Sequence, residues 1–129
     1  MTLVDTSVWI EVFRKPRRFD LEAVVDFEEV VTCLPVVQEV LQGFRDEAAF
    51  RRAREAMLAL PLAEPALEAS LYLEAVDLFR SARRAGLTIR SGVDCVIAAC
   101  AIRRDLEVLH RDRDYSAIAR VSPLRQRAV

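Results

Sequence analysis

Lysine is almost missing from this 129-residue chain. Eighteen of its nineteen basic residues are arginine, and Lys15 stands alone. A GC-rich coding bias contributes to that, but the chemical consequence holds regardless. There is no Gly-Lys-Ser/Thr loop for an ATPase, and no late-chain lysine to pair with an aspartate as in receiver domains and related phosphohydrolases. Any positive group that meets a phosphate here is an arginine. Glycine (three) and proline (five) are also scarce, which excludes linkers, collagen-like repeats and long disordered tails. No apolar run approaches the ~18 residues of a spanning helix, so no membrane association is expected. The N-terminus, Met-Thr-Leu-Val-Asp, has neither a basic n-region nor a cleavage-site pattern, so no secretory signal is expected. Cys33, Cys95 and Cys100 are an odd number set inside apolar runs. They read as buried thiols of a reducing compartment, not as a disulfide framework or a zinc cluster.

What the chain does have is apolar content, 53%, and charge, 30%, in near balance at a net −1. The length predicts one domain over residues 1–129, long enough to bury a core. A near-zero net charge does not exclude a polyanionic partner, because local asymmetry sets the potential such a partner meets. No internal repeat or low-complexity segment is visible.

Met1–Asp5 reads as a short buried strand ending in an acid. Thr6 or Ser7 caps a helix over Val8–Arg14, which Pro16 ends. An amphipathic helix is expected over Asp20–Glu29 and a strand over Val30–Leu34. Pro35 suits the first turn of a helix carrying Val36, Val37, Val40, Leu41 and Phe44. Helices follow over Asp46–Leu60 and Ala66–Ala85, with a break and a very short strand at Leu62–Ala63 between them and Gly86 as a cap. Ser91–Arg104 is a further helix, Glu107–His110 a strand, Asp114–Arg120 a short helix and Val121–Leu124 a last strand. Strands alternating with helical runs long enough for crossovers predict a mainly parallel sheet covered by helices. Ligands of such folds collect beyond the carboxyl ends of the strands.

Acids sit at that edge. Asp5 follows the first strand, and Asp112 and Asp114 follow the Glu107–His110 strand. Glu39 lies one turn into the helix beginning at Pro35, and Asp94 heads a helix that is apolar all round. A carboxylate at the head of a buried helix is costly unless compensated. A capping box with Ser91 as N-cap is one compensation, a bound cation another, and the two are compatible. Singly, each acid has an ordinary explanation as a cap, a turn residue or a first-turn acid. Jointly they form an oxygen-only cluster, which suits a hard ion such as Mg2+ or Mn2+ and metal-assisted phosphodiester hydrolysis.

Four segments carry a family resemblance. Leu-Val-Asp-Thr-Ser-Val-Trp-Ile resembles the opening of PIN-domain proteins, and Val-Val-Gln-Glu-Val-Leu-Gln-Gly the helix bearing their second acid. Ser-Gly-Val-Asp-Cys-Val-Ile-Ala-Ala and His-Arg-Asp-Arg-Asp-Tyr resemble the segments bearing the third and fourth. Order, spacing and length, over essentially the whole chain, are similar to the VapC type of toxin. The resemblance implies a PIN-like α/β/α sandwich with a mainly parallel sheet, and a cytoplasmic, Mg2+-dependent endoribonuclease in which Mn2+ can substitute. It implies a catalytic metal site of Asp5, Glu39, Asp94 and Asp112, with Asp114 as the alternative fourth ligand, since the fourth acid falls at either place. Thr6 or Ser7 would orient Asp5 or a water, and Ser91 would support Asp94. His110 stands where Thr or Ser is frequent, and it is read as a structural hydrogen-bonder.

Arg90, Arg111 and Arg113 flank the acids as candidate phosphate contacts, with a solvated basic edge as the plain alternative. Without an aromatic platform, recognition by shape or loop is expected in place of base stacking. Apolar residues on more than one face of the first helix, and Leu73 and Val76 on the Ala66–Ala85 helix, suggest protein interfaces. By resemblance these would serve a homodimer and an antitoxin segment whose Arg reaches the carboxylates. The competing readings are a PIN nuclease of RNA processing or acting on DNA, and a catalytically silent binding module.

Overall fold

In the computed structural model, which describes residues 1–129, four strands form one sheet in the order β2-β1-β3-β4. They are β1 (Thr2–Val4), β2 (Val30–Val31), β3 (Glu107–His110) and β4 (Arg125–Ala128), all paired in parallel. Six helices complete the chain: α1 (Thr6–Phe13), α2 (Leu34–Gln42), α3 (Glu47–Leu58), α4 (Ala69–Arg84), α5 (Gly92–Arg103) and α6 (Arg113–Ala119). The result is an α/β/α sandwich. The inner strands are apolar throughout because helices cover both faces: Leu3, Val4, Val108 and Leu109 are fully buried.

The sheet order decides where a site can form. From β1 the chain crosses to β2 on one side; from β3 it crosses to β4 on the other. The connections therefore diverge from the β1/β3 pair, and a crevice opens at its carboxyl edge. The register carries this to the residues. Val4 is opposite Leu109, and the Asp5 N–H donates to the Leu109 carbonyl at 2.9 Å, so the residues following both strands emerge side by side. Helices α1, α2 and α6 start just after strands and α5 runs back toward the start of β3, so all four begin at this edge. Their N-termini turn the positive ends of their dipoles toward the acids.

Helix α5 is central. Every residue from Asp94 to Ala101 is buried, and α4 packs against this helix with Leu71, Ala75 and Ala82 buried on its own side. At its far end Arg103 reaches Glu74 and Ser70 of α4 at 2.7 and 2.9 Å, fixing the pair. The three cysteines are buried free thiols, as anticipated. Gly86 adopts φ +77° after α4, and the Leu87 N–H reaches back to the Ala82 carbonyl at 2.9 Å, the wide turn that closes a Schellman cap. Gly86→Ala should cost about 1 kcal/mol from backbone strain alone, since nothing crowds the added methyl. Urea unfolding measures this, and catalysis should be untouched.

Three expectations fail. The cap of α1 is neither Thr6 nor Ser7 but Asp5, whose carboxylate accepts the Ser7 N–H. Asp20–Glu29 is not one helix but two single 3-10 turns, Leu21–Ala23 and Phe27–Glu29. Asp26 breaks it by accepting the Glu28 N–H at 3.0 Å and starting a new turn. The last strand is not Val121–Leu124 but Arg125–Ala128. Pro123 lacks a ladder donor, and the Ser122 hydroxyl donates to the Ile118 carbonyl while accepting the Leu124 N–H, which makes that stretch a turn. The strand that does form is polar because it is an edge, and Arg127 pairs with Glu107 across the ladder at 3.1 Å. The expected short strand at Leu62–Ala63 is a single bridge between Leu62 and Thr32.

Candidate active site

Asp5 is the N-cap of α1, and its carboxylate is held from both sides. Oδ2 accepts the Ser7 N–H at 3.0 Å and the Ser7 hydroxyl at 2.5 Å; Oδ1 accepts the Tyr115 hydroxyl at 2.6 Å. The Ser7 hydroxyl also accepts the Arg111 N–H at 2.9 Å, tying the ends of β1 and β3 together. Of the two hydroxyl residues considered as supports, Ser7 orients Asp5. Thr6 instead donates to Glu39 Oε1 at 2.9 Å.

Asp112 is the N-cap of α6. Its Oδ1 accepts the Asp114 N–H at 2.9 Å and an Arg90 N–H from Nη2 at 3.1 Å. Asp114 is 1% exposed; its Oδ2 accepts the Arg90 and Ser91 N–H groups at 3.0 and 3.2 Å, while its Oδ1 has no hydrogen-bond partner. Asp94, 5% exposed, projects from the first turn of α5. Its Oδ1 lies 3.4 Å from the Tyr115 hydroxyl, and its Oδ2 has no partner. Carboxylate oxygens of Asp94, Asp112 and Asp114 lie within 4.8 Å of one another.

The electrostatics follow from burial and crowding. Burial, then the charges of Asp5 and Asp112, push the Asp94 carboxyl up to about 9. Glu39, half-buried, is raised by the same burial and by Asp5 and Asp112, against the hydrogen bond from Thr6. For Asp112 burial acts upward, but the Asp114 N–H, the neighbouring Asp94 and Arg90 outweigh it and hold the carboxyl below the ordinary range. Crowded acids of this kind either keep protons or bind cations. Asp114 Oδ1 is faced by the Arg90 guanidinium, its Nε at 3.6 Å, whereas the buried Asp94 Oδ2 has no partner; facing an all-oxygen set with no imidazole or thiolate, it fits a hard divalent cation.

The sequence-read residues separate on inspection. Asp5, Asp94, Asp112 and Asp114 meet at the β1/β3 edge. Glu39 lies on the adjoining wall, outside the tightest trio. Ser91 supports the site through its backbone N–H to Asp114; its side chain makes no cap bond, so the capping box does not explain Asp94. Arg90 is on the acids. Arg111 turns away, with Nε on the Val129 carbonyl at 3.1 Å and its guanidinium over the Phe19 ring at 5.0 Å. Arg113 is exposed beside the site. His110 accepts the Asp112 N–H at Nδ1 (3.1 Å), the bond a Thr or Ser hydroxyl would accept two residues earlier, and its Nε2 meets Gln126 Oε1 at 2.5 Å. That fixes its tautomer with the proton on Nε2.

Tyr115 was missed by sequence reasoning. An aromatic in a short helix reads as core, and the only hint of more was its place directly after the acids.

Beside the site, α2, α4 and α5 enclose an open groove of about 810 Å3, walled by Leu34, Tyr72, Val76, Phe79 and Val93, with Glu39 where it meets the acids. No helix is long and apolar enough to cross a membrane.

The PIN-domain family model matches residues 2–121. The chain is 35% identical to ribonuclease VapC11 of Mycobacterium tuberculosis and to VapC ribonuclease Mb1587 of Mycobacterium bovis, over 96% of this chain and 96% of each relative. Among solved structures, VapBC-5 of the toxin–antitoxin family from Mycobacterium tuberculosis is similar with a TM-score of 0.72 at 20% identity, covering 99% of this chain and 98% of that one. VapBC-1 from nontypeable Haemophilus influenzae gives 0.74 at 15% identity, over 98% and 96%. At those identities the structural likeness is one of fold, which is the fold derived above. With the family model spanning nearly the whole chain and curated relatives matched end to end, the chain belongs to the PIN-domain family, among the VapC ribonucleases.

Proposed function

We propose that this chain is the toxin of a toxin–antitoxin pair, an endoribonuclease that hydrolyses RNA phosphodiester bonds at a divalent-cation site, with Mg2+ as the working ion and Mn2+ as a substitute. One observation carries the reading. Acids from the ends of two adjacent strands and the head of a buried helix converge on one edge, and the buried Asp94 Oδ2 among them has no partner. The 35% identity to named ribonucleases points the same way.

Asp5, Asp94 and Asp112 would hold the cation, with Glu39 and Asp114 completing the acidic wall. A cation bound there supplies Lewis acidity, making a nearby water a stronger acid and neutralising charge that builds on the phosphate. The chain's own residues do the rest. Ser7 and Tyr115 fix Asp5, and His110 fixes the turn that presents Asp112. Arg90, half-exposed at the rim, places a positive charge where the RNA backbone would enter, and Arg113 lies beside it. Glu39, raised by burial and held by Thr6, is placed to accept a proton from the attacking water. The setting is cytoplasmic, consistent with buried free thiols.

Asp112 is the stronger fourth ligand, and Asp114 the structural acid. Asp114→Ala should destabilise the fold by about 1–3 kcal/mol, because two backbone N–H groups lose their acceptor, and leave measurable cleavage. Asp112→Ala should cost only about 1 kcal/mol as a lost cap but stop cleavage. The reverse pattern in paired melting and cleavage assays would exchange the roles.

The groove between α2, α4 and α5 suits an antitoxin segment: apolar walls for an amphipathic stretch, leading to acids that an Arg would reach in place of the metal. Leu73, 65% exposed and outside that groove, leaves α4 a second apolar surface for a homodimer. Expression alone should arrest growth, and co-expression of the small protein encoded beside it should restore it. Harmless high-level expression of folded, metal-loaded protein would refute the toxin reading and leave a housekeeping nuclease.

A further inference from the structure

We propose that the Tyr115 hydroxyl is a positioning group for the cation site, fixing the Asp5 carboxylate and spacing it from Asp94. The inference rests on the cation-site reading above. Tyr115 is fully buried, and a buried phenol must find an acceptor. Its one proton goes to Asp5 Oδ1 at 2.6 Å, a short contact typical of a charged acceptor. The same hydroxyl makes a second, longer contact, with Asp94 Oδ1 as the acceptor at 3.4 Å. It therefore stands between the acid that ends β1 and the acid that heads α5.

The ring is itself locked. The Tyr115 backbone N–H donates to the Asp112 carbonyl at 3.3 Å, in the first turn of α6. His110 packs on the ring at 5.0 Å between centroids, and both His110 nitrogens are engaged, by the Asp112 N–H and by Gln126. With Ser7 holding Oδ2, Asp5 accepts three donors and has no free rotation. One aromatic side chain thus ties two acids from two elements into one geometry.

Removing only the hydroxyl tests this. In Tyr115→Phe the ring still fills its space, but Asp5 Oδ1 loses its donor and can swing away from its like-charged neighbours. Loss of a hydrogen bond that orients a metal ligand typically weakens metal binding 10–100-fold. Ile118→Val is the control: it trims an equally buried residue of α6 and touches no acid.

The measurement is Mn2+ titration of the purified full chain, following the loss of the free-ion electron paramagnetic resonance signal. Tyr115→Phe should bind Mn2+ about 10–100-fold more weakly than the unaltered protein. Its cleavage rate should recover at saturating Mn2+, and Ile118→Val should bind normally. Tyr115→Phe binding within twofold of the unaltered protein overturns the inference, as does an equal loss in Ile118→Val, which would make the effect one of packing. Failure of the unaltered protein to bind Mn2+ removes the cation-site reading and this inference together.

Discussion

Asp94→Asn is expected to lower RNA cleavage at least about a hundred-fold, since even the partners of metal ligands act on a 10–100-fold scale. The same change should make the metal-free protein more stable at pH 8. Asn keeps the shape of the side chain but cannot ionise, so the mutant loses a ligand together with a group that must hold a proton to stay buried without metal. The sign of the stability effect follows from linkage. Burial, Asp5 and Asp112 raise the Asp94 carboxyl to about 9, far above its unfolded value, so the folded protein binds more protons than the unfolded chain between those two values. Stability contributed by the protonated acid is present below about pH 4 and is lost as pH rises toward 9, at no more than about 1.4 kcal/mol per unit. Asp94→Asn should flatten that slope. Melting curves of metal-free protein should therefore differ by several degrees at pH 8 and converge near pH 4. A mutant less stable than its parent at pH 8 would mean that the carboxylate is compensated within the protein by something other than a cation.

Divalent cation is expected to reverse this cost. An ion that binds only the folded state at a hundred times its dissociation constant adds about 2.7 kcal/mol of stability. Because the ligand must be deprotonated, that gain should grow as pH rises from 6 to 9, opposite to the trend of the metal-free protein. Chelation should return the melting temperature to the metal-free value and stop cleavage. A melting temperature indifferent to Mg2+ and Mn2+ at pH 8 would leave the unpartnered Asp94 Oδ2 unexplained.

Much of this was legible in the sequence because the decisive features are local. The run Leu3-Val4-Asp5 announces a buried strand ending in an acid, and the stretch after Asp94 announces a helix buried on every side. Parallel topology then dictates that strand-end acids share an edge. What was not legible depends on tertiary placement. Arg125–Ala128 has no apolar pattern because an edge strand needs none, whereas Val121–Leu124 looks β-like until Pro123 and the Ser122 hydroxyl are seen making a turn. The capping reading of Ser91 failed because its backbone N–H was claimed by Asp114, twenty-three residues away. Arg111 flanks the acids in sequence, yet Phe19 and the Val129 carbonyl hold its guanidinium elsewhere. Tyr115 and the His110–Gln126 pair escaped notice because an aromatic and a lone histidine read as core. Only their distances to Asp5 and Asp112 reveal what their polar atoms do.

Whether the acids at the β1/β3 edge hold a cation with which this chain cuts RNA is decided by cleavage of total cellular RNA by the purified protein in Mg2+, in Mg2+ with excess EDTA, and by Asp94→Asn in Mg2+. Discrete internal cuts are expected in the first reaction alone. Equal cutting in excess EDTA, or by Asp94→Asn, would contradict the cation-site reading.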